Sequence, residues 1–212
     1  MRVGIFGGSF NPIHLGHLRA AEEVREALNL DLVYFVPAAS PPHKTEGELA
    51  PAEHRLQMAR LATKGNRHFM VSDVEVRRIG RSYTVDTIRY FISTLRVPAT
   101  MFLMMGTDQF AELETWKDCE ELARLCGIAV HTRLREGEVG PPRISLAALE
   151  RFGYSRADDH YVHASGQTLS FVETTVFPIS ATVIRQKLQR RRSVRYLIPG
   201  DVADYIERHV IY

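Results

Sequence analysis

The chain alternates short, densely apolar runs with longer stretches in which apolar positions recur every three or four residues. Val3-Gly4-Ile5-Phe6, Leu32-Val33-Tyr34-Phe35-Val36, Phe69-Met70-Val71, Thr100-Met101-Phe102-Leu103-Met104 and Gly127-Ile128-Ala129-Val130 read as buried strands. Helical periodicity between them predicts helices over about 16–28, 52–63, 84–95 and 118–125, the first from the spacing of Leu15, Leu18, Ala21, Val24 and Leu28. This rhythm predicts an α/β fold, a Rossmann-like doubly wound parallel sheet with its ligands beyond the carboxyl ends of the strands.

The pattern is interrupted from Arg135 to about Gly166, where Gly137, Gly140, Pro141 and Pro142 precede a short helical stretch near 145–152 and the polar run Asp158-Asp159-His160. It reads as an insertion near 135–166 within a single domain spanning 1–212, and His160 and His163 read as surface or structural residues. Beyond it, 169–176 predicts a further strand. Ser180 and Thr182 then suit the cap of a helix that buries Val183, Ile184 and Leu188. Pro199-Gly200-Asp201 opens a last amphipathic helix carrying Val202, Tyr205, Ile206 and Val210.

At 212 residues and 45% hydrophobic content, the chain can bury a full core. A formal net charge of +2, with both signs interspersed, argues against a nucleic-acid or membrane binder. The run Arg190-Arg191-Arg192 with Arg195 reads as a solvated helix end. Cys119 and Cys126 form no disulfide framework, no stretch is apolar for the length of a membrane span, and Met1-Arg2 runs straight into a strand. A reduced, cytoplasmic protein is the expectation, and its oligomeric state is left open.

The candidate chemistry sits at the first strand-to-helix turn, Gly7-Gly8-Ser9-Phe10-Asn11-Pro12-Ile13-His14-Leu15-Gly16-His17. Glycines let the backbone approach a ligand, and the amides and positive dipole end of the helix attract phosphate. His14 and His17 are three apart and share one face there. Gly-Gly-Ser alone describes any tight turn, and a zinc site built on the two histidines lacks a further His or Cys pair at ligand spacing. Near the C-terminus, Arg185 and Lys187 occupy the half of their helix that favours acids, a conflict that a bound anion would resolve. Trp116, the only tryptophan, stands among Glu114, Thr115, Lys117 and Asp118, company that suits a stacking platform for a flat ring as well as a core residue. Thr84 can cap its helix or, with neighbouring amides, hold a carboxylate. Asp108, at the end of the fourth strand, can cap a helix or accept hydrogen bonds from ribose hydroxyls.

The first motif resembles the Gly-x-Phe-Asp-Pro-x-His-x-Gly-His signature of the nucleotidylyltransferase superfamily, with Asn11 where many relatives carry Asp. The segment Ile179-Ser180-Ala181-Thr182-Val183-Ile184-Arg185 resembles the superfamily's second motif, Ile-Ser-[Ser/Thr]-Thr-x-Ile-Arg, with Ala181 replacing a frequent hydroxyl. Pro42-His43-Lys44, Glu75 with Ser82–Thr87, Met105–Asp108, Thr115-Trp116-Lys117, Tyr205-Ile206 and Ile211-Tyr212 extend the likeness over nearly the whole chain, to the family of bacterial nicotinate mononucleotide adenylyltransferases.

The resemblance implies transfer of AMP from ATP to nicotinate mononucleotide, giving deamido-NAD and pyrophosphate. It implies His14 and His17 as the catalytic pair on the ATP phosphates. ATP contacts would come from Gly8, Ser9, Phe10, Gly16, Gly106, Asp108, Ile179, Ser180 and Arg185, and mononucleotide contacts from Ser9, Lys44, Thr84, Trp116, Lys117 and Arg133. Magnesium would ride on the ATP phosphates with no protein side chain as ligand. Another small-substrate nucleotidylyltransferase, or a nucleotide-sensing or RNA-binding module without turnover, is the competing reading, the latter favoured by Asn11, Ala181 and the arginine cluster.

Overall fold

The computed structural model describes residues 1–41, 49–132, 149–150, 152–175 and 177–212. Eight strands form one sheet: β1 (Arg2–Gly8), β2 (Leu32–Pro37), β3 (Phe69–Val71), β4 (Thr100–Gly106), β5 (Gly127–His131), β6 (Tyr154–Arg156), β7 (Tyr161–His163) and β8 (Thr168–Val172). They lie in the order β3-β2-β1-β4-β5-β8-β7-β6. The pairings from β3 through β8 by way of β1 and β4 are parallel. The helices are α1 (Leu15–Ala27), α2 (Ala52–Thr63), α3 (Val74–Arg77), α4 (Thr84–Thr94), α5 (Thr107–Ala111), α6 (Cys119–Leu125), α7 (Ala181–Gln189) and α8 (Gly200–His209).

The apolar runs fold as central strands because both of their faces are covered, and strand periodicity divides them between two layers. On β4, Met101, Leu103 and Met105 point into the layer built from Val85, Ile88 and Phe91 of α4 and Leu122 and Ala123 of α6. Phe102 and Met104 point the other way, onto Ala21 and Val24 of α1, Met58 and Ala59 of α2, Ile184 of α7, and Val202 and Ile206 of α8. β1 divides likewise, with Val3 and Ile5 in the first layer and Phe6 in the second.

The order of the strands positions the site. From β1 the chain winds outward through β2 to β3, then returns to lay β4 on the other side of β1. Connections from these two central strands therefore leave in opposite directions, opening a crevice at their carboxyl ends, the switch point of an open α/β sheet. Phe6 pairs with Met104, so Gly8 and Gly106 end adjacent strands at this crevice.

Several expectations are corrected. Lys187, expected in the acid-favouring half of its helix, lies in the last turn of α7, and Val210, expected on the last helix, follows the end of α8 and is exposed. The stretch from Tyr154 to His163, read as irregular, forms the antiparallel hairpin β6–β7, which extends the sheet antiparallel to β8. Its three-residue strands are too short for a periodic signal. Val183, assigned to the buried face of α7, is 40% exposed, and Ile184 takes the core position. Most of the predicted helix near 145–152 lies outside the described residues; Leu149 and Glu150, which are described, are helical.

Candidate active site

The β1–α1 turn is held open by small residues and closed underneath by aromatic ones. A Cβ on Gly8 would meet the Phe10 ring at 3.1 Å, and one on Gly16 would meet the His14 ring at 3.1 Å. Phe10 lies at φ +44°, a left-handed conformation uncommon for a bulky residue, and packs edge-on to Phe6 and His17. Its side chain is 2% exposed, so it shapes the turn from below.

The two histidines stack at the mouth of α1, with ring centroids 3.6 Å apart and planes at 28°. His14 is buried and His17 half-buried. The His14 amide donates to Nδ1 of His17 at 3.2 Å. With Nδ1 an acceptor, the neutral ring carries its hydrogen on Nε2, which makes His17 a hydrogen-bond donor in the crevice.

Asn11 is engaged across the molecule. Its Oδ1 accepts from the Ala50 amide at 3.1 Å and the Tyr212 hydroxyl at 2.7 Å, and its carbonyl accepts from Nη1 of Arg185 at 2.8 Å. These bonds make Asn11 a junction between the first turn, the residues entering α2, and the last residue of the chain. Burial pushes the Tyr212 hydroxyl upward, against Arg185 and Arg55, so it stays protonated and donates at neutral pH. Arg185 also reaches the Thr182 hydroxyl with Nη2 at 3.2 Å. Ser180 caps α7 as expected, its Oγ accepting from the Val183 amide at 3.2 Å. Glu23 of α1 accepts from the amide and hydroxyl of Thr175, at 2.7 and 2.6 Å, and so fixes the segment that leads into α7.

At the neighbouring strand end, the Gly106 amide donates to Oε1 of Gln109 at 3.2 Å, and Oδ1 of Asp108 accepts from the Gln109 amide at 3.0 Å. Both belong to the first turn of α5, beside the β1 loop.

A cavity of about 260 Å³ opens between these elements. Gly8 and Ser9 of the phosphate turn line it, together with Thr84, Trp116 and Lys117 of the predicted mononucleotide set. Thr84 is the first residue of α4, whose N-cap Tyr83 makes no side-chain cap, so the first-turn amides receive no oxygen from that residue. Trp116 is half-buried. The Lys117 ammonium lies 4.6 Å from the Tyr83 ring centre and 3.5 Å from Asp86. Glu75, also in the lining and 7% exposed, accepts from the Thr87 hydroxyl at 2.6 Å. Lys44 and Arg133 lie outside the described residues.

Sequence reasoning missed Arg55, which is 1% exposed and donates to four main-chain carbonyls around the cavity. The signal was available: a lone cation on the apolar stripe that α2 shares with Leu56 and Ala59. Among the described residues no three His, Cys, Asp or Glu side chains gather into a metal cage.

The model of the family described as cytidylyltransferase-like matches residues 5–187. A protein of Geotalea daltonii, named "Probable nicotinate-nucleotide adenylyltransferase", is 42% identical over 217 aligned residues, covering 100% of this chain and 98% of that one. A Geobacter sulfurreducens protein of the same name is 41% identical with the same coverage. Among solved structures, the Plasmodium falciparum nicotinic acid mononucleotide adenylyltransferase complexed with NaAD superposes with a TM-score of 0.73 over 100% of this chain and 97% of its own. At 18% identity that likeness speaks for the fold. The chain belongs to the cytidylyltransferase-like family and, by identity over its whole length, to the nicotinate-nucleotide adenylyltransferases.

Proposed function

We propose that the crevice joins ATP and nicotinate mononucleotide to give deamido-NAD and pyrophosphate, a step of NAD biosynthesis. The observation that carries this reading is the cavity that puts the phosphate turn Gly8-Ser9 together with Thr84, Trp116 and Lys117. One end is the glycine-rich turn that leads into α1, suited to phosphate. The other offers an indole face and a helix start, suited to an aromatic ring bearing an anion.

The nucleophile is a phosphate oxygen of the mononucleotide, largely dianionic at neutral pH because its second pKa is about 6. It forms a bond to the ATP α-phosphorus while the bond from that phosphorus to the bridging oxygen breaks, and pyrophosphate leaves with the electron pair. No proton has to move, so the chain's task is to hold both phosphates in line and stabilise charge in transit. His17 donates from Nε2 to the transferring phosphate, and the stacked His14 fixes its ring and approaches the ATP phosphates. Gly8, Gly16 and the Ser9 and Phe10 main chain make room for those phosphates. Asp108 accepts from the ribose hydroxyls and Gly106 lies against the adenosine. Ile179, the Ser180 cap amides and Arg185 hold the β and γ phosphates, with Arg185 anchored on Asn11. Trp116 stacks on the pyridine ring, and the Thr84 hydroxyl and the first α4 amides donate to its carboxylate. Ser9, Lys44, Lys117 and Arg133 bind the rest of the mononucleotide.

Magnesium fits this scheme as an ion carried on ATP oxygens, since the donors gathered at the turn are amides and imidazoles and magnesium keeps most of its waters. When bound it would neutralise phosphate charge.

The test is pyrophosphate release from ATP with nicotinate mononucleotide, nicotinamide mononucleotide and phosphopantetheine in parallel. The acid mononucleotide should give the highest kcat/KM. A higher value for either other substrate, or no release at all, refutes the reading.

A further inference from the structure

Arg55 belongs to none of the groups that the reaction uses, yet its hydrogen bonds run to the walls of the cavity. Nη1 donates to the carbonyls of Ser9 at 2.8 Å and Ala38 at 2.6 Å, and Nη2 to that of Ala39 at 3.1 Å. Nε donates to the Ala50 carbonyl at 2.8 Å, which fixes the fork to the entrance of its own helix. Ser9 is in the phosphate turn and Ala38 follows β2, and both line the cavity.

A second link continues from there. The Ser82 hydroxyl oxygen accepts from the amides of Ala39 at 3.0 Å and Ser40 at 3.2 Å, while the Ser82 amide donates to the Ser40 carbonyl at 2.9 Å. Ser82 is buried and stands two residues before Thr84. Phosphate turn, β2 exit and α4 start are thus tied in series, through one guanidinium and one hydroxyl. Gly106, Asp108 and Ser180 take no part in this series among the hydrogen bonds of the described residues.

We propose that Arg55 is a positioning residue that sets the distance between the phosphate turn and the start of α4, and thereby the fit of the mononucleotide, which meets both ends of that span, more than that of ATP, which meets only the turn. The inference rests on the assignment of nicotinate mononucleotide to this cavity. Its chemical basis is the shape of the guanidinium. Three nitrogens in one plane address carbonyls of three separate segments at fixed angles, whereas a lysine ammonium is a point charge on a flexible stem. Arg55→Lys therefore keeps the charge and loses the fork.

The experiment is steady-state kinetics of Arg55→Lys and Ser82→Ala with each substrate varied in turn, together with amide hydrogen exchange of both proteins. For Arg55→Lys the KM for nicotinate mononucleotide should rise about tenfold or more, the equivalent of one lost hydrogen bond, while that for ATP stays within about threefold. Ser82→Ala should show the same split at smaller size. Exchange should quicken selectively in peptides containing Ser9 and Ala38–Ser40. A proportional rise of both KM values, a fall in kcat alone, or an unchanged exchange pattern overturns the proposal. If Arg55→Lys fails to fold, the Ser82→Ala split decides. If the unmodified protein makes no deamido-NAD, the functional reading fails by itself. The exchange pattern then still decides the brace, supported by selective quickening and overturned by its absence.

Discussion

Tyr212→Phe removes one hydroxyl and leaves the ring, which isolates the bond that ties the last residue to the first turn. The hydroxyl donates to Asn11 Oδ1 at 2.7 Å, and burial keeps it protonated, so a neutral bond is lost, worth about 0.5–1.5 kcal/mol. The larger penalty of about 1–3 kcal/mol for stranding a buried acceptor does not apply, because Oδ1 keeps the Ala50 amide at 3.1 Å. The ring still packs against the layer of Met58, Val202 and Ile206. The expected loss is about 1 kcal/mol, or about 2–4 °C in Tm for a chain of this length. Urea unfolding followed by Trp116 fluorescence should show a lower midpoint with an unchanged slope. In an Asn11→Ala background the same substitution should cost almost nothing, since the partner is already gone. An unchanged midpoint, a loss above about 3 kcal/mol, or full additivity with Asn11→Ala would refute the reasoning.

His17→Ala should lower kcat by about a hundredfold or more, the scale for one well-placed donor to a charged transition state, with a smaller change in KM for the mononucleotide; near-normal turnover counts against the assignment. Thr84→Val should erode mainly the preference for nicotinate over nicotinamide mononucleotide, whereas Trp116→Ala should weaken both; equal kcat/KM for the two substrates in the unmodified protein contradicts this pocket. Burial pushes the Cys126 thiol up to about 12, against a bond from the Leu103 backbone, so Cys119 should react with a thiol reagent well before Cys126, and replacing both with Ala should leave activity per folded molecule within about threefold. Burial alone would raise the Glu23 carboxyl, but the hydroxyl and amide of Thr175 together with Arg19 outweigh it and hold it below its ordinary value of 4.5. A lowered carboxylate adds stability that is present above pH 4.5 and lost as pH falls through the folded-state value, so Glu23→Gln should flatten that part of a Tm-against-pH curve; an unchanged slope refutes it.

The turn Gly7–His17 was legible because its chemistry is local: glycines, an aromatic, a proline and two histidines at helical spacing all act within one strand-to-helix junction. The partners of that turn were not. Asn11 reaches Tyr212 over 201 positions and Ala50 over 39, and no periodicity records such a distance. Arg55 was hidden for the opposite reason, since its helix was correctly bounded but a single cation on an apolar stripe carries no statement of which carbonyls it meets.

By itself the sequence determined the elements of the central sheet, because a strand covered on both faces must be apolar throughout and a helix must be apolar on one stripe. Its motifs determined the kind of ligand, since phosphate-binding turns and capped helices are built from neighbouring residues. Only the tertiary structure decided that β4 returns to the far side of β1, which opens the crevice between Gly8 and Gly106. It also decided that β6 and β7 extend the sheet antiparallel, and that one guanidinium spans three segments. These outcomes depend on contacts between residues far apart in the chain, where burial and hydrogen bonding are settled by the whole fold and local propensity has nothing to say.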